Sequence, residues 1–416
     1  MRNQARARST GVILLASLVV IVSVSFPGDE VDGQGSRPAI RFDRGGSALG
    51  IPFTWVGQMI GLDVRVNDTL DARMIFDTGF GMQGALLLDP ALGERLGLAF
   101  ARTINLGGGG TAGAREAGVA AGANLALHGV SLPDQTLLVA KNRAPFADWP
   151  VDGIIGAALM ESVVEIDYER RVLNLRDRRS YRPREGAVEF PLVFSHGIPV
   201  IDAEVEIDKG MRVPVKLLVD TGVPDVPLLL FEFSDHRIRP PGPTYTLVAE
   251  GMGGDMKARL GRIGSLKLGP FLLRDTVAGF VDRESFGTAV VLGQNGMLGH
   301  DSLERFHVAF DYQGSRLWLK PNGTYDRRYD VDMTGLTLSA QRDGTYKVID
   351  VGAGTPAAGQ GLRKGDLLVA VDGKDLRGVE FPEVRRLLRR EGARVSLTIR
   401  RGTERLERSL VLKRLV

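Results

Sequence analysis

The chain has 416 residues, 44% of them apolar and 53 of them glycine, with a formal net charge of +3 and no cysteine. That length exceeds one ordinary domain, and the absence of cysteine excludes disulfides, thiolate metal sites, thiol nucleophiles and a lipidated N-terminal cysteine. Arg2, Arg6 and Arg8 stand in residues 1–26 without an acid, so the remaining body is balanced, with 50 basic and 50 acidic residues. A balanced body lacks the standing basic field that phosphate backbones require, which argues against nucleic acid as a partner.

In chain order, the three arginines precede an uncharged apolar run, Gly11 to Val24. Its length suits a signal-peptide core better than a membrane span, which needs about 20 residues. Ser23-Val24-Ser25 is a weak small-x-small cleavage site, so residues 1–26 read either as a signal peptide or as an uncleaved anchor through residues 11–24. Both place the body outside the cytoplasm, periplasmic or secreted, with residues 27–49 as a tether.

The body contains an internal repeat. Met74-Ile75-Phe76-Asp77-Thr78-Gly79 recurs 143 residues later as Leu217-Leu218-Val219-Asp220-Thr221-Gly222. Gly153-Ile154-Ile155-Gly156 recurs at the same spacing as Gly296-Met297-Leu298-Gly299. Val164–Tyr168 and Val308–Tyr312 follow as a third pair. Leu62–Val66 and Ile201–Val205 precede the two Asp turns as entry strands with partial period-two alternation. One Asp-Thr-Gly alone is a tight turn after a strand. Two copies with matched flanks and matched downstream glycines indicate a duplicated lobe, with boundaries at 50–178 and 179–330.

The duplicated residue types carry a specific chemistry. Two carboxylates held about 3 Å apart cannot both ionise and therefore share a proton. The ionised member takes a proton from a water between them, and the protonated member polarises a carbonyl. Gly79 and Gly222 permit a sharp turn and close approach of the two loops. Thr78 and Thr221 are placed to hydrogen-bond across the lobe interface and fix the loops.

At these residues the chain resembles the pepsin/retropepsin aspartic peptidases, over about residues 50–321. The resemblance implies a mostly β protein with two pseudo-symmetric acid-protease-like β-barrel lobes. It implies Asp77 and Asp220 as catalytic residues working through water, with no metal and no cofactor. It also implies a polypeptide substrate held extended across the interlobe cleft under β-hairpin flaps. Candidate flap tips are Gly107 to Gly110, with Gly108 and Gly109 central, and Gly251 to Gly254 around Gly253. No P-loop Lys-Ser/Thr follows the first, which favours a flap over a phosphate cradle. Two positions depart from the family pattern: Phe80 and Val223 follow the Asp-Thr-Gly turns where the family usually has Ser, Thr or Ala. Losing a hydroxyl bond to the ionised carboxylate raises the pair's pKa values. These departures keep open a second reading, a catalytically inactive peptidase-like peptide-binding or sensor protein, and a third, a structural scaffold of a membrane complex.

Other chemistries lack their residues. The five histidines, His128, His196, His236, His300 and His307, form no His-Glu-x-x-His pair, and no Gly-x-Ser-x-Gly elbow is present. They read as surface or core histidines.

Residues 331–416 form a third region. Gly335-Leu336-Thr337-Leu338 opens a strand. Ala353 to Gly373 reads as loop, short helix, turn, strand and an Asp-Gly hairpin turn. Phe381, Val384, Leu387 and Leu388 share a helical face ended by Gly392, and Val395–Arg400 and Ser409–Leu412 are closing strands. This order resembles a small β-rich bacterial PDZ domain with short helices. The resemblance implies capture of a peptide C-terminus by strand addition, with Gly335, Leu336 and Thr337 receiving the carboxylate; packing or dimerisation support is the alternative. Eleven Arg/Lys against three Glu over residues 385–416 read as a solvated face, or else as a patch for anionic lipid or a partner.

Overall fold

Each apolar run flanking an Asp-Thr-Gly turn forms a strand in the computed structural model, which describes residues 40–144, 148–286 and 293–416. The export segment lies outside the described residues. Strands dominate, and the longest helix among the described residues is Phe381–Leu387. The mostly β class with a small β-rich C-terminal region is therefore observed.

The first lobe is built on a nine-stranded sheet and the second on an eight-stranded sheet. Both contain the same kernel. Leu70–Phe76 carries Asp77 at its end, and Gly153–Ile155 lies parallel beside it, Gly153 opposite Met74 and Ile155 opposite Phe76. Met211–Val219 carries Asp220, and Gly296–Leu298 lies parallel beside it, with Leu217 opposite Gly296 and Val219 opposite Leu298. A short antiparallel strand flanks each kernel, Ala85–Leu87 and Leu228–Phe231.

The downstream glycines are demanded by this crowding. A Cβ on Gly153 would sit 2.5 Å from the Leu86 carbonyl oxygen, and one on Gly296 would sit 2.1 Å from that of Leu229. A Cβ on Gly156 would meet the Asp77 carbonyl at 2.3 Å. Distances of this kind admit no side chain, so the repeated Gly-apolar-apolar-Gly is a packing requirement behind the Asp turns.

A six-stranded sheet joins the lobes. Val163–Asp167 of the first lobe pairs antiparallel with Phe306–Asp311 of the second, placing the third repeated segment side by side across the pseudo-twofold. One apolar core runs from Met74, Phe76 and Leu87 through Val164 and Phe310 to Leu217 and Leu298. Large-to-Ala truncation in such a core costs about 2–5 kcal/mol, so the lobes are not independent.

The C-terminal region has its own six-stranded sheet and core, including Leu338, Val348, Leu368, Val384, Leu397 and Ile399. Its edge strand, Leu336–Ala340, pairs with Tyr346–Val351. The helix Phe381–Leu387 buries Phe381 and Val384 and begins with Pro382 in its first turn. Proline is tolerated there because the first helical amides have no intrahelical acceptor. The sheet does not stand apart from the lobes: Leu415 and Val416 pack on the second lobe beside Tyr329 and Val331.

Candidate active site

Asp77 and Asp220 meet at the lobe interface and are fully buried. Their turns interlock through the two threonines. The Thr78 amide donates to Thr221 Oγ1 and the Thr221 amide donates to Thr78 Oγ1, each at 3.0 Å. Thr78 Oγ1 donates onward to the Val219 carbonyl at 2.7 Å, and Thr221 Oγ1 to the Phe76 carbonyl at 2.9 Å. Four buried bonds thus cross between loops 143 residues apart.

Each carboxylate is held by its own turn. The Gly79 amide donates to Asp77 Oδ1 at 2.7 Å, and the Gly222 amide to Asp220 Oδ1 at 2.8 Å. The glycines are also necessary for space: a Cβ on Gly79 would lie 2.4 Å from Asp220 Oδ2, and one on Gly222 would lie 2.5 Å from Asp77 Cγ. The second oxygen of each carboxyl, Oδ2, is buried and receives no protein donor. Both oxygens lie in a site closed from solvent, each beside the opposite turn's glycine, where the only group left to share a proton with is the other carboxyl.

The electrostatics agree. Burial holds Asp77 well above the usual carboxylate range, with further lifts from the charge of Asp220 and the hydrogen bond between the two, against the amides of Gly79 and Phe80. Burial also pushes Asp220 up, to about 6, opposed by its bond with Asp77 and by the amides of Gly222 and Gly79. The two titrate as one unit. The charges of both reach Tyr312 and add to the burial that pushes its phenol upward.

Phe80 and Val223 do not project into a cleft. Phe80 is fully buried with Ile75, Leu86, Leu106 and Met252, and Val223 with Val226, Leu229 and Met297. The position that elsewhere supplies a hydroxyl is given over here to packing, and the backbone amides serve the carboxylates instead.

Both glycine-rich segments are hairpin tips, and they close on one another. The first joins Arg102–Leu106 to Arg115–Leu127, and the second joins Tyr245–Gly251 to Gly254–Leu268. The Gly253 amide donates to the Gly109 carbonyl at 3.0 Å, the Ala112 amide to the Gly253 carbonyl at 2.5 Å and the Thr111 amide to the Asp255 carbonyl at 3.0 Å. Arg115 Nε donates to the Met252 carbonyl at 2.7 Å, and the Met252 side chain is fully buried among first-lobe residues. A Cβ on Gly253 would lie 2.9 Å from the Gly108 carbonyl, so the tips touch backbone to backbone. The two tips are therefore closed on one another.

Residues 203–299 match the family model for an aspartyl protease, and residues 347–401 match that for a PDZ domain. The chain carries an aspartyl protease domain and a PDZ domain. The protease match falls on the second lobe, with Asp220 and the Gly296–Gly299 element. The first lobe is tied to it by the repeated kernel and the threonine bonds. No curated protein matches the chain.

Two histidines occupy distinct surroundings. His300 is a core residue, edge-on to Trp55 and Tyr168 at 5.1 and 5.2 Å, and burial pushes its pKa down to about 3. Both of its ring nitrogens lack a partner, so it is buried without being satisfied. His307 lies with Asp167 and Glu169 in a triad of metal-ligating types that sequence spacing does not reveal. Arg184 pairs with Asp167 there at 3.2 Å, so one carboxylate of the triad already has a cationic partner.

In the PDZ domain, Leu336 and Thr337 begin the edge strand and Gly335 directly precedes it. Two of their donors are engaged: the Gly335 amide donates to Asp332 Oδ1 at 3.2 Å, and the Leu336 amide to Thr334 Oγ1 at 3.0 Å. Tyr245, at the start of the second-lobe strand Tyr245–Gly251, donates to the Gly335 carbonyl at 3.2 Å. The groove between the edge strand and the helix faces Tyr245, Leu247 and Asp225 of the second lobe. Farther along, Leu338 and Ala340 face Gln58 and Trp149 of the first.

Proposed function

We propose that the protein is an endopeptidase that hydrolyses peptide bonds by activating water between Asp77 and Asp220. The observation that carries this reading is the pair of buried Oδ2 atoms without donors, inside a preorganised loop pair. The singly protonated dyad needs only a water and a carbonyl between its carboxyls: one Asp takes the proton of the attacking water, and the other donates to the carbonyl oxygen. The surrounding amides and threonines hold the dyad without reorganisation, which is where electrostatic catalysis gains most. No metal and no cofactor enters the reaction as read.

The substrate is an extended polypeptide entering when the tips around Gly109 and Gly253 separate. The PDZ edge strand takes a peptide by strand addition, and its C-terminal carboxylate is received near Gly335, Leu336 and Thr337 once Asp332, Thr334 and Tyr245 release them. Substrates are exported proteins or peptides, because the apolar run at residues 11–24 directs the body out of the cytoplasm as a cleaved signal or as an anchor. No helix among the described residues is long and apolar enough to cross a membrane.

A second reading, a peptide-binding or sensor protein without turnover, draws on the complete burial of the dyad. Incubation of the full chain with a peptide mixture from pH 4 to 8, in H2(18)O and followed by mass spectrometry, separates the two. The enzyme yields new C-termini carrying one heavy oxygen, absent with Asp77→Asn and Asp220→Asn. Peptide binding with no new termini in all three proteins supports the sensor.

A further inference from the structure

Two neighbouring arginines of the PDZ domain turn inward, Arg385 and Arg389; the Arg389 guanidinium lies over the Tyr329 ring at 5.1 Å, and Arg385 is the one that bonds to both lobes. Arg386, Arg390, Arg394, Arg400 and Arg405 are exposed, but Arg385 is buried, with 7% of its side chain accessible. Arg385 Nη1 donates to Gln58 Oε1 in the first lobe and to Asp225 Oδ1 in the second. Gln58 Nε2 donates at 3.0 Å to Asp301 Oδ1, and the Tyr329 hydroxyl lies 2.9 Å from Asp301 Oδ2 and 2.5 Å from the Asp225 carbonyl, its one proton shared between them. One guanidinium of the PDZ domain therefore anchors a network spanning both lobes.

The network terminates on the two segments that build the second half of the dyad. Asp225 is five residues beyond Asp220, in the same loop, at φ 68°. A non-glycine residue at positive φ is strained and persists where its surroundings hold it. Asp301 directly follows Gly299 and His300, whose amides donate to the carbonyls of Pro227 and Val223 in that loop at 3.0 and 2.9 Å. The Asp220 amide itself donates to the Leu298 carbonyl at 3.0 Å.

The first half of the dyad is held differently. The hairpin turn Gly57-Gln58 approaches the loop beyond Asp220, and its counterpart in the second lobe, His196-Gly197, approaches the loop beyond Asp77. There the contact is backbone on backbone: a Cβ on Gly81 would lie 2.2 Å from the His196 carbonyl. Close packing secures the Asp77 loop, whereas a buried charge from a different domain secures the Asp220 loop.

We propose that Arg385 is a positioning residue for the dyad, so that docking of the PDZ helix sets the geometry of the Asp220 loop. This rests on the dyad reading above. A buried Arg–Asp contact is sensitive to loss of one partner, because the other charge is left uncompensated. Release of the helix, as by a peptide that enters the groove beside Phe381, would loosen the loop that carries Asp220.

The test uses the full chain with Arg385→Gln, Arg385→Lys and the double variant Arg385→Gln/Asp225→Asn, assayed below their melting temperatures on a short peptide. Arg385→Gln is expected to lower kcat at least tenfold with KM within about twofold of wild type. Arg385→Lys retains at least a third of wild-type kcat, and the double variant recovers most of the loss. Amide hydrogen exchange over residues 220–226 rises in Arg385→Gln and falls back in the double variant. An unchanged kcat, a rise confined to KM, or unchanged exchange over 220–226 overturns the proposal. Exchange needs no turnover. If wild type cleaves nothing, the peptidase reading fails, and the loop measurement still decides whether Arg385 positions it.

Discussion

Thr78 and Thr221 each accept the other's backbone amide at 3.0 Å, and each donates its hydroxyl proton to the strand that carries the opposite aspartate. The arrangement is reciprocal, so neither loop is positioned without the other. Thr78→Ala or Thr221→Ala strands buried amide and carbonyl groups, at about 1–3 kcal/mol for each unsatisfied group. Thr→Ser keeps the hydroxyl and is expected to cost less than half as much. Urea titration of the two single variants and the double gives a combined loss smaller than the sum, because the bonds form one unit.

The same burial that prepares the dyad works against stability. Both folded-state values lie above the unfolded 3.8. For a carboxyl raised in this direction the folded chain binds the extra proton. The stabilisation is complete below 3.8 and is lost as pH rises through the folded values. Asp220→Asn removes the contribution of Asp220 and the charge it places on Asp77, leaving the burial of Asp77, and is expected to stabilise the fold at pH 7. Thermal melts at pH 4 and pH 7 check this: wild type loses more stability between them than the Asn variant does.

The activity profile follows from the same two values. A dyad competent for hydrolysis holds one proton, so turnover falls when the second proton binds. With Asp220 at about 6, the acid limb of kcat is expected near there, well above the limb of a solvent-exposed carboxylate. A limb below pH 4 contradicts the dry, donor-poor site described for the two Oδ2 atoms.

Flap closure depends on backbone contact at the tips. A Cβ on Gly251 would lie 2.0 Å from the Gly109 carbonyl, and one on Gly110, at φ 123°, would lie 2.3 Å from that of Gly254. Gly251→Ala is expected to hold the tips apart, so that peptide enters but is not enclosed and water is not excluded around it, lowering kcat/KM at least tenfold while leaving the melting temperature within a few degrees. Steady-state kinetics alongside calorimetry measures both.

The repeat makes the kernel legible. Asp77/Asp220, Gly153/Gly296 and Val164/Val308 recur because both halves solve one packing problem, and in the structure they fall into matching places as the spacing implies. What the sequence hides depends on residues without a counterpart. Arg385 belongs to a run of positive charge that reads as solvated, and it is the face shared with Phe381, Val384 and Leu388 that turns it inward. That face is visible as helical spacing; its lobe partners, Gln58 and Asp225, lie 327 and 160 residues away. Asp332 and Thr334 likewise show no sequence sign of capping the amides of Gly335 and Leu336.

Asp77 and Asp220, as proposed, act as one hydrolytic unit. The decisive measurement is turnover of a cleaved peptide by wild type, Asp77→Asn, Asp220→Asn and the double variant, with folding verified for each. Each single substitution is predicted to reduce kcat by about a thousandfold or more, and the double by no more than either alone, since residues acting as a unit are not additive. Wild-type turnover in either single variant contradicts the account.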